Sequence, residues 1–374
     1  MVTALRFIPS WLRLCFSVSV FVSSSLPFLR ATPQLMPLSP IQGRFFANPK
    51  EKVQGVGEDE DALVYRPLVD LATPEECHII QTYRLNRVTI MELLAQLEPD
   101  LLPSIRYPNV IPPTVQVLSV LHYLASGSFQ VTVALASGMS QPMFSNVLRN
   151  VLCPLLKHMA SYIWFPRRAE LPTVKAAFYA VAHVIEAFDG TQIALVPPRR
   201  NEKVYRNCKN LHSVNVQVVC LAGQYISQVT GRYPGSVHDS YTLRNSSVPH
   251  KMAPLQRDRA CLIGDSDYPN LPWLLTPVRC PTSAAEDRYN EAHSRTRRVI
   301  ERCFGLLKAR FLCLHVSRGA VLYNPQKVCQ IIVACVLLHN LPLRHRIKLL
   351  DAEEGVTVLV ADEGDMGSDE EEEE

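Results

Sequence analysis

The 374-residue chain has no CxxC pair, and its 11 cysteines are an odd number. That spacing argues against a zinc ribbon and against a disulfide framework, so a reducing compartment is expected. No Gly-x-Gly-x-x-Gly run and no P-loop occurs, so nucleotide cofactors are not implied. No uninterrupted apolar run reaches ~20 residues, and no membrane span is expected. Residues 1–50 lack Asp and Glu entirely, while residues 351–374 lack Lys and Arg.

What remains is ample for a packed core: 47% hydrophobic and 20% charged residues, enough for one to three compact units. The net charge of +3 conceals an asymmetry, because 12 of the 35 acidic residues lie in 351–374. The other 350 residues hold all 38 Lys and Arg against 23 Asp and Glu, a net +15. A basic body points to a polyanionic partner that an acidic tail can screen, although such a tail can also serve solubility alone. Residues 1–50 carry Arg6, Arg13, Arg30 and Arg44 around an apolar, serine-rich run from Leu14 to Leu29. This has the form of a targeting peptide but lacks a small-residue cleavage box. Residues 1–61 are therefore expected to be a poorly ordered extension and linker, and 351–374 a disordered acidic tail.

Residues 62–170 read as a helical domain. Thr73-Pro74-Glu75-Glu76 has the form of a capping box. Val115, Leu118, Leu121, Tyr123 and Leu124 fill one face of a following helix. Two short helices joined by Ser137-Gly138-Met139 come next, with Ser140 placed to cap the second and Pro142 in its first turn. This is a helix-turn-helix pattern whose exposed positions are Gln141, Ser145, Asn146 and Arg149, side chains that can reach bases or phosphates. A plain helical packing layer has the same periodicity.

From Phe178 the pattern changes, and 178–345 reads as an α/β unit. Val184–Phe188 and Ile193–Val196 form one strand around Asp189-Gly190-Thr191. His212–Leu221 and Gln224–Tyr233 form a hairpin. Ala260–Gly264 is a short buried strand, parallel to the first after a crossover. Asn290–Phe311 and Lys327–Leu341 are helices, the first with a buried stripe of Ile300, Phe304, Leu307 and Phe311. His339-Asn340 is expected at the end of the second, as a cap. Cys303, Cys313, Cys329 and Cys335 are expected to be core residues.

Four acids fall at telling places: Asp189 within the first strand, Asp239 after the third, Asp265 at the end of the fourth, and Glu301 beside the helical stripe. Carboxylates gathered at strand ends are costly to bury unless a cation neutralises them. An all-oxygen set favours Mg²⁺ or Mn²⁺ over zinc. A pair of such ions can cleave a phosphodiester. Arg297, Arg298 and Lys308 share the face of Glu301 and could hold DNA phosphates. Taken singly, each acid also has an ordinary role as turn former, helix cap or intrahelical ion pair. Glu286 and Glu291 are rival acids but precede the part of the helix aimed at the strand ends. His238 can serve as a proton shuttle or as a local hydrogen-bonding group.

The segments FDGTQIALVPP, NEKVYRNCKNLHSVNVQVVC, GRYPGSVHDS, LIGDSDYP and RRVIERCFGLLKARF occur in the order found in PIF/Harbinger transposases, and residues 65–345 resemble that family. The resemblance implies a ribonuclease-H-like DDE catalytic core and a divalent-metal-dependent DNA nuclease. Thirty-five residues separate Asp265 from Glu301, the spacing of a DD35E core. The implied catalytic triad is Asp189, Asp265 and Glu301. Asp239, from the family's His-Asp-Ser motif, would be a fourth metal ligand. The resemblance further implies a Myb/SANT-like DNA-binding partner and action in the nucleus, with the cytoplasm as a second location. The chain departs from the family at Gln192, where histidine is usual, and at Asp267, where glycine is usual. The family's Asn-Arg-Lys stretch here reads Arg206-Asn207-Cys208-Lys209. These departures leave room for a catalytically silent DNA-binding or partner-binding descendant. An active transposase is a third reading.

Overall fold

The computed structural model describes residues 65–72, 75–102, 110–158, 162–178 and 181–344. The expected extension and linker, the acidic tail, and the Thr73-Pro74 start of the capping box lie outside them.

The organising element is a five-stranded mixed sheet of order β3-β2-β1-β4-β5. Its strands are β1 (Val184–Ala194), β2 (Ser213–Cys220), β3 (Ile226–Pro234), β4 (Cys261–Ile263) and β5 (Leu274–Leu275). The first three form an antiparallel meander, and β4 and β5 add on in parallel. The Asp189-Gly190-Thr191 interruption expected in the first strand does not occur: all three residues pair with β2, and β1 runs unbroken to Ala194. The two-residue β5 is too short for periodicity to announce. All eight residues of β2 are buried, because helices cover both faces of the sheet.

On one face the sheet is covered by the two long C-terminal helices, and beyond them pack α1 (Glu76–Tyr83), α2 (Arg87–Leu101), α3 (Pro113–Ser126), α4 (Gln130–Ala136) and α5 (Gln141–Lys157). These five share a continuous apolar cluster, running from Leu71 to Leu341, with the C-terminal pair. The other face is covered by α6 (Leu171–Ala177), α8 (Asp239–Arg244) and α9 (Val248–Met252), around Ile185, Phe188, Leu243, Met252 and Leu262. A four-residue helix, α7 (Glu202–Tyr205), precedes β2. The C-terminal helices are α10 (Ala284–Arg310) and α11 (Pro325–Arg344). Helix α10 starts six residues earlier than its apolar stripe suggests, because Ser283 and Glu286 form a capping box there. In the stripe Ile300, Leu307 and Phe311 are fully buried and Phe304 is partly so.

The helix-turn-helix pattern folds as one, but α4 has seven residues and α5 seventeen, so only the first helix is short. Ser140 occupies the N-cap position of α5 without making a side-chain cap. The apolar side of α5 (Phe144, Val147, Leu148, Val151, Leu152 and Leu155) is buried, whereas Gln141, Ser145, Asn146 and Arg149 are exposed as expected. The end of α3 is pinned to the end of α10. Gly127 has φ 61°, and a Cβ there would stand 2.9 Å from the Leu312 carbonyl, so both backbone conformation and space require glycine.

His339 and Asn340 correct an expectation. Helix α11 continues to Arg344, so they lie inside it and cap nothing. Asn340 Oδ1 accepts from the Ile226 N–H at 2.9 Å, and its Nδ2 donates to the carbonyls of Ile226 and Tyr162 at 2.8 Å. His339 Nε2 lies 3.0 Å from the Gln224 carbonyl. A buried helix thus satisfies backbone groups of the β2–β3 hairpin that would otherwise be orphaned. Residues Pro325–Leu343 are long and apolar enough to cross a membrane, but two thirds of that stretch is buried inside the protein. Cys303, Cys313 and Cys335 are buried as expected, and Cys329 is partly so.

Glu186 in β1 is fully buried, and neither carboxyl oxygen has a hydrogen-bond partner. Burial pushes its pKa up to about 8, with Ser227 and Lys251 pulling weakly the other way. A raised folded-state pKa means that its contribution to stability is complete below the ordinary carboxylate range. That contribution is lost as pH rises through about 8. Thermal unfolding followed by circular dichroism from about pH 5 to about pH 8.5 should show this loss in the wild type. Glu186→Gln should remove it, so that the variant gains stability relative to wild type as pH rises.

Candidate metal-binding active site

Three of the four expected acids meet on one cation belonging to the protein itself. Arg297 Nη1 lies 3.1 Å from Asp189 Oδ2 and 3.2 Å from Asp265 Oδ2, and Nη2 donates to Glu301 Oε1 at 2.7 Å. The topology makes this possible. β4 pairs parallel to β1 and ends at Ile263, so the following turn carries Asp265 to the part of β1 that holds Asp189. Helix α10 packs across that point and presents Arg297 and Glu301 one turn apart.

Both aspartates are oriented by their own turns. Asp189 Oδ1 accepts from the Gly190 N–H at 2.7 Å, and Asp265 Oδ1 accepts from the Ser266 N–H at 2.6 Å. Their Oδ2 atoms are the ones aimed at Arg297. Asp189 is the most enclosed member, its side chain 16% exposed against 37% for Asp265 and 49% for Glu301. Burial pushes its carboxyl up to about 7. The Gly190 N–H and the Arg297 guanidinium oppose that rise, and the negative charges of Asp265 and Asp239 add to it.

Asp239 stands apart from this trio. Gly190 separates it from Asp189: a Cβ on Gly190 would be 3.0 Å from both carboxylate oxygens of Asp239. The Asn215 amide donates to Asp239 Oδ1 and also to the Val237 carbonyl at 3.0 Å. Gln217 reaches the Asp239 carbonyl at 3.3 Å and the Tyr268 hydroxyl at 3.4 Å. Burial raises the Asp239 pKa, Asn215 and His238 lower it, and the charges of Asp267 and Asp265 raise it. Asp239 therefore shares the field of the other acids without sharing Arg297.

The remaining expected residues fall into place around this centre. Lys308 donates to Thr191 Oγ1 at 2.8 Å, two residues along β1 from Asp189. Arg298 is exposed, whereas Arg297 is turned onto the acids instead of outward to solvent. Arg149 donates to Asn146 Oδ1 at 3.1 Å on the exposed side of α5. Glu286 is consumed by the α10 capping box, and Glu291 pairs with Arg295 at the surface, so neither rival acid joins the site. His238 caps α8 by accepting from the Ser240 N–H, a local role. Gln192 accepts from the Ser213 hydroxyl at 2.8 Å. Asp267 does not have positive φ, so its turn does not require the glycine usual in the family; its charge bears on Asp239 instead.

Asn215 and Gln217 were not singled out in the sequence. Their signal was two amides at i and i+2 in the apolar run HSVNVQVVC, which places both on one face of a strand. The donor chemistry suits a hard divalent cation: carboxylate oxygens converge on a single positive group. The guanidinium stands among them and bridges all three. Elsewhere among the described residues, Glu75, Cys77 and His78 gather near the surface.

Comparison with known proteins gives the family of the chain. Residues 188–340 match the family model described as DDE superfamily endonuclease. The chain is 36% identical over 272 residues to HARBI1 of Rattus norvegicus, a protein named as a candidate nuclease. The alignment covers 72% of this chain and 78% of the relative. The protein of the same name from Homo sapiens is 35% identical with the same coverage. The chain belongs to the PIF/Harbinger family of DDE superfamily endonucleases. A plant relative, Protein ALP1-like of Arabidopsis thaliana, is 25% identical over 257 residues, 63% of this chain and 62% of the relative. No solved structure matches. The matched family segment begins one residue before Asp189 and ends at Asn340, so it contains all four acids and the hairpin anchor on α11.

The contact between Gly190 and Asp239 generates a prediction. Gly190→Ala forces the Asp239 carboxylate to move and should cost about 1–3 kcal/mol in urea unfolding, the usual range for overpacking. A variant as stable as wild type would show that the Asp239 carboxylate is not held against β1.

Proposed function

We propose that the protein is a metal-dependent DNA endonuclease in which Asp189, Asp265 and Glu301 hold divalent cations, Mg²⁺ or Mn²⁺, with Asp239 as a further ligand. The observation that carries this reading is the convergence of Asp189, Asp265 and Glu301 from two strands and a helix onto one positive centre. Family membership supports DNA as the substrate and phosphodiester hydrolysis as the reaction. Cations bound there would supply activation of a water and stabilisation of charge on the departing oxygen, the chemistry of a two-metal site.

The protein's own residues supply orientation and charge. The Gly190 and Ser266 N–H groups hold the two aspartates in their rotamers. Asn215 and Gln217 hold Asp239 and its backbone against β2. Lys308, beside Thr191, and the exposed Arg298 offer positive charge to phosphates of a bound duplex. Gln141, Asn146 and Arg149 on the exposed side of α5 form a second DNA-contacting surface, suited to positioning the substrate. In this reading a separate Myb/SANT-like DNA-binding protein recruits the nuclease and aids its entry into the nucleus, with the cytoplasm as a second location, as the family resemblance implies.

The test is nicking of supercoiled plasmid by the full chain with Mg²⁺, Mn²⁺ or EDTA, beside Asp265→Asn. Nicking should require the cation and fall more than about 100-fold in the variant, the loss expected when several kcal/mol of transition-state stabilisation disappear. DNA retention in a mobility-shift assay should be largely unchanged. A folded wild type that binds Mn²⁺ but does not nick would point to a missing partner or substrate, and one that neither nicks nor binds Mn²⁺ would favour the silent DNA-binding reading. Cutting unaffected by Asp265→Asn would place the chemistry elsewhere.

A further inference from the structure

We infer that Arg297 is an exchangeable internal counterion: its guanidinium holds the three acids together in the metal-free protein and is displaced when a divalent cation binds. This inference rests on the metal-site reading above and adds to it a residue that competes with the metal.

The geometry makes the competition direct. Asp189 and Asp265 each accept the following backbone N–H on Oδ1, at 2.7 and 2.6 Å, so Oδ2 is the more open oxygen each offers a cation. Both Oδ2 atoms are taken by one nitrogen, Arg297 Nη1, at 3.1 and 3.2 Å. The neighbouring nitrogen, Nη2, takes Glu301 Oε1 at 2.7 Å. A Mg²⁺ or Mn²⁺ ion binds carboxylate oxygens at about 2.0–2.2 Å and so needs these same lone pairs from within the space that the guanidinium fills. A guanidinium seated between the Oδ2 atoms and a divalent ion centred on them compete for the same position and the same negative charge.

Sequence position shows why the arrangement is more than a local ion pair. Arg297 and Glu301 are an i,i+4 pair on α10, which any exposed helix could carry at little energetic value. Asp189 is 108 residues away in sequence, and Asp265 comes from a different strand end. Without the guanidinium, three carboxylates would face one another, with Asp239 and Asp267 adding to the same negative field. Like charges at such separations repel strongly in a partly buried setting. A divalent ion carries twice the charge of the guanidinium and satisfies the acids better, while the long arginine side chain can swing aside without moving α10. Seated on the acids, the Arg297 side chain is already 24% exposed, so on release it has a short path to solvent, where a phosphodiester bound next to the metal would meet it.

The experiment uses the EDTA-stripped full chain and Mn²⁺ as the probe, comparing wild type with Arg297→Ala. Binding is read by electron paramagnetic resonance of free Mn²⁺ or by calorimetry, and thermal unfolding is followed with and without Mn²⁺. Arg297→Ala should tighten Mn²⁺ binding at least about tenfold, because the metal no longer has to displace a bound cation. It should also lower the unfolding temperature of the metal-free protein while leaving the Mn²⁺-loaded protein nearly unchanged. If the alanine variant does not fold, a wild-type crystal structure with Mn²⁺ decides the matter: the guanidinium should have left all three carboxylates. Mn²⁺ binding that is unchanged or weaker in a folded Arg297→Ala protein, or a guanidinium still seated on the acids beside the ion, overturns the exchange and leaves the metal-site reading intact. Absence of Mn²⁺ binding in both proteins overturns both.

Discussion

The site depends on one constraint: a cluster of carboxylates cannot be held together without a positive charge among them. Three chain segments distant in sequence bring Asp189, Asp265 and Glu301 to a single point. In water their mutual repulsion would be modest. Next to β1, where Asp189 is largely enclosed, it would be severe. Arg297 resolves the conflict from within the chain, and its position on α10 ties the helix to the middle of β1 and to the turn after β4. The electrostatics of the site and the docking of α10 on the sheet are therefore one problem with one solution.

The rest of the architecture keeps that point in place. β2 is enclosed on both faces, so it serves as a rigid ruler against which β1 is registered residue by residue, Asp189 opposite Val218. Its two buried amides, Asn215 and Gln217, take hold of Asp239 from the neighbouring layer. On the other side, α11 reaches through the core to satisfy the backbone of the β2–β3 hairpin with Asn340. A buried amide that makes three backbone hydrogen bonds is costly to replace, since each orphaned partner would lose its share of solvation. The helical layer from α1 to α5 is welded to this frame by one continuous apolar cluster and by the glycine contact between α3 and Leu312. Packing of this kind gives the exposed side of α5 a defined relation to the acids.

Much of the fold was legible because its signals are periodic. The alternation in HSVNVQVVC and QYISQVTGRY marked the hairpin, and the spacing of Ile300, Leu307 and Phe311 marked α10. The errors came where local pattern did not decide what a side chain does. Ser140 occupies a cap position without capping, and His339-Asn340 looked like a helix end but serves the hairpin from mid-helix. The two-residue β5 left no pattern because it is held by its neighbour β4 and not by its own propensity.

By itself the sequence determined the residue types and their order: four acids in the spacing of a DDE core, a basic body with an acidic tail, and a helical segment ahead of an α/β unit. Those properties are carried by composition, periodicity and separation along the chain, which need no partner to be read. Only the tertiary structure decided which acids meet, because convergence depends on strand order and on the angle at which α10 crosses β1. It separated Asp239 from the other three by the width of a glycine. It also turned Arg297 from a candidate phosphate ligand into the counterion of the site. Helix periodicity places a side chain on a face, but what that face meets is settled by the packing of elements far apart in sequence.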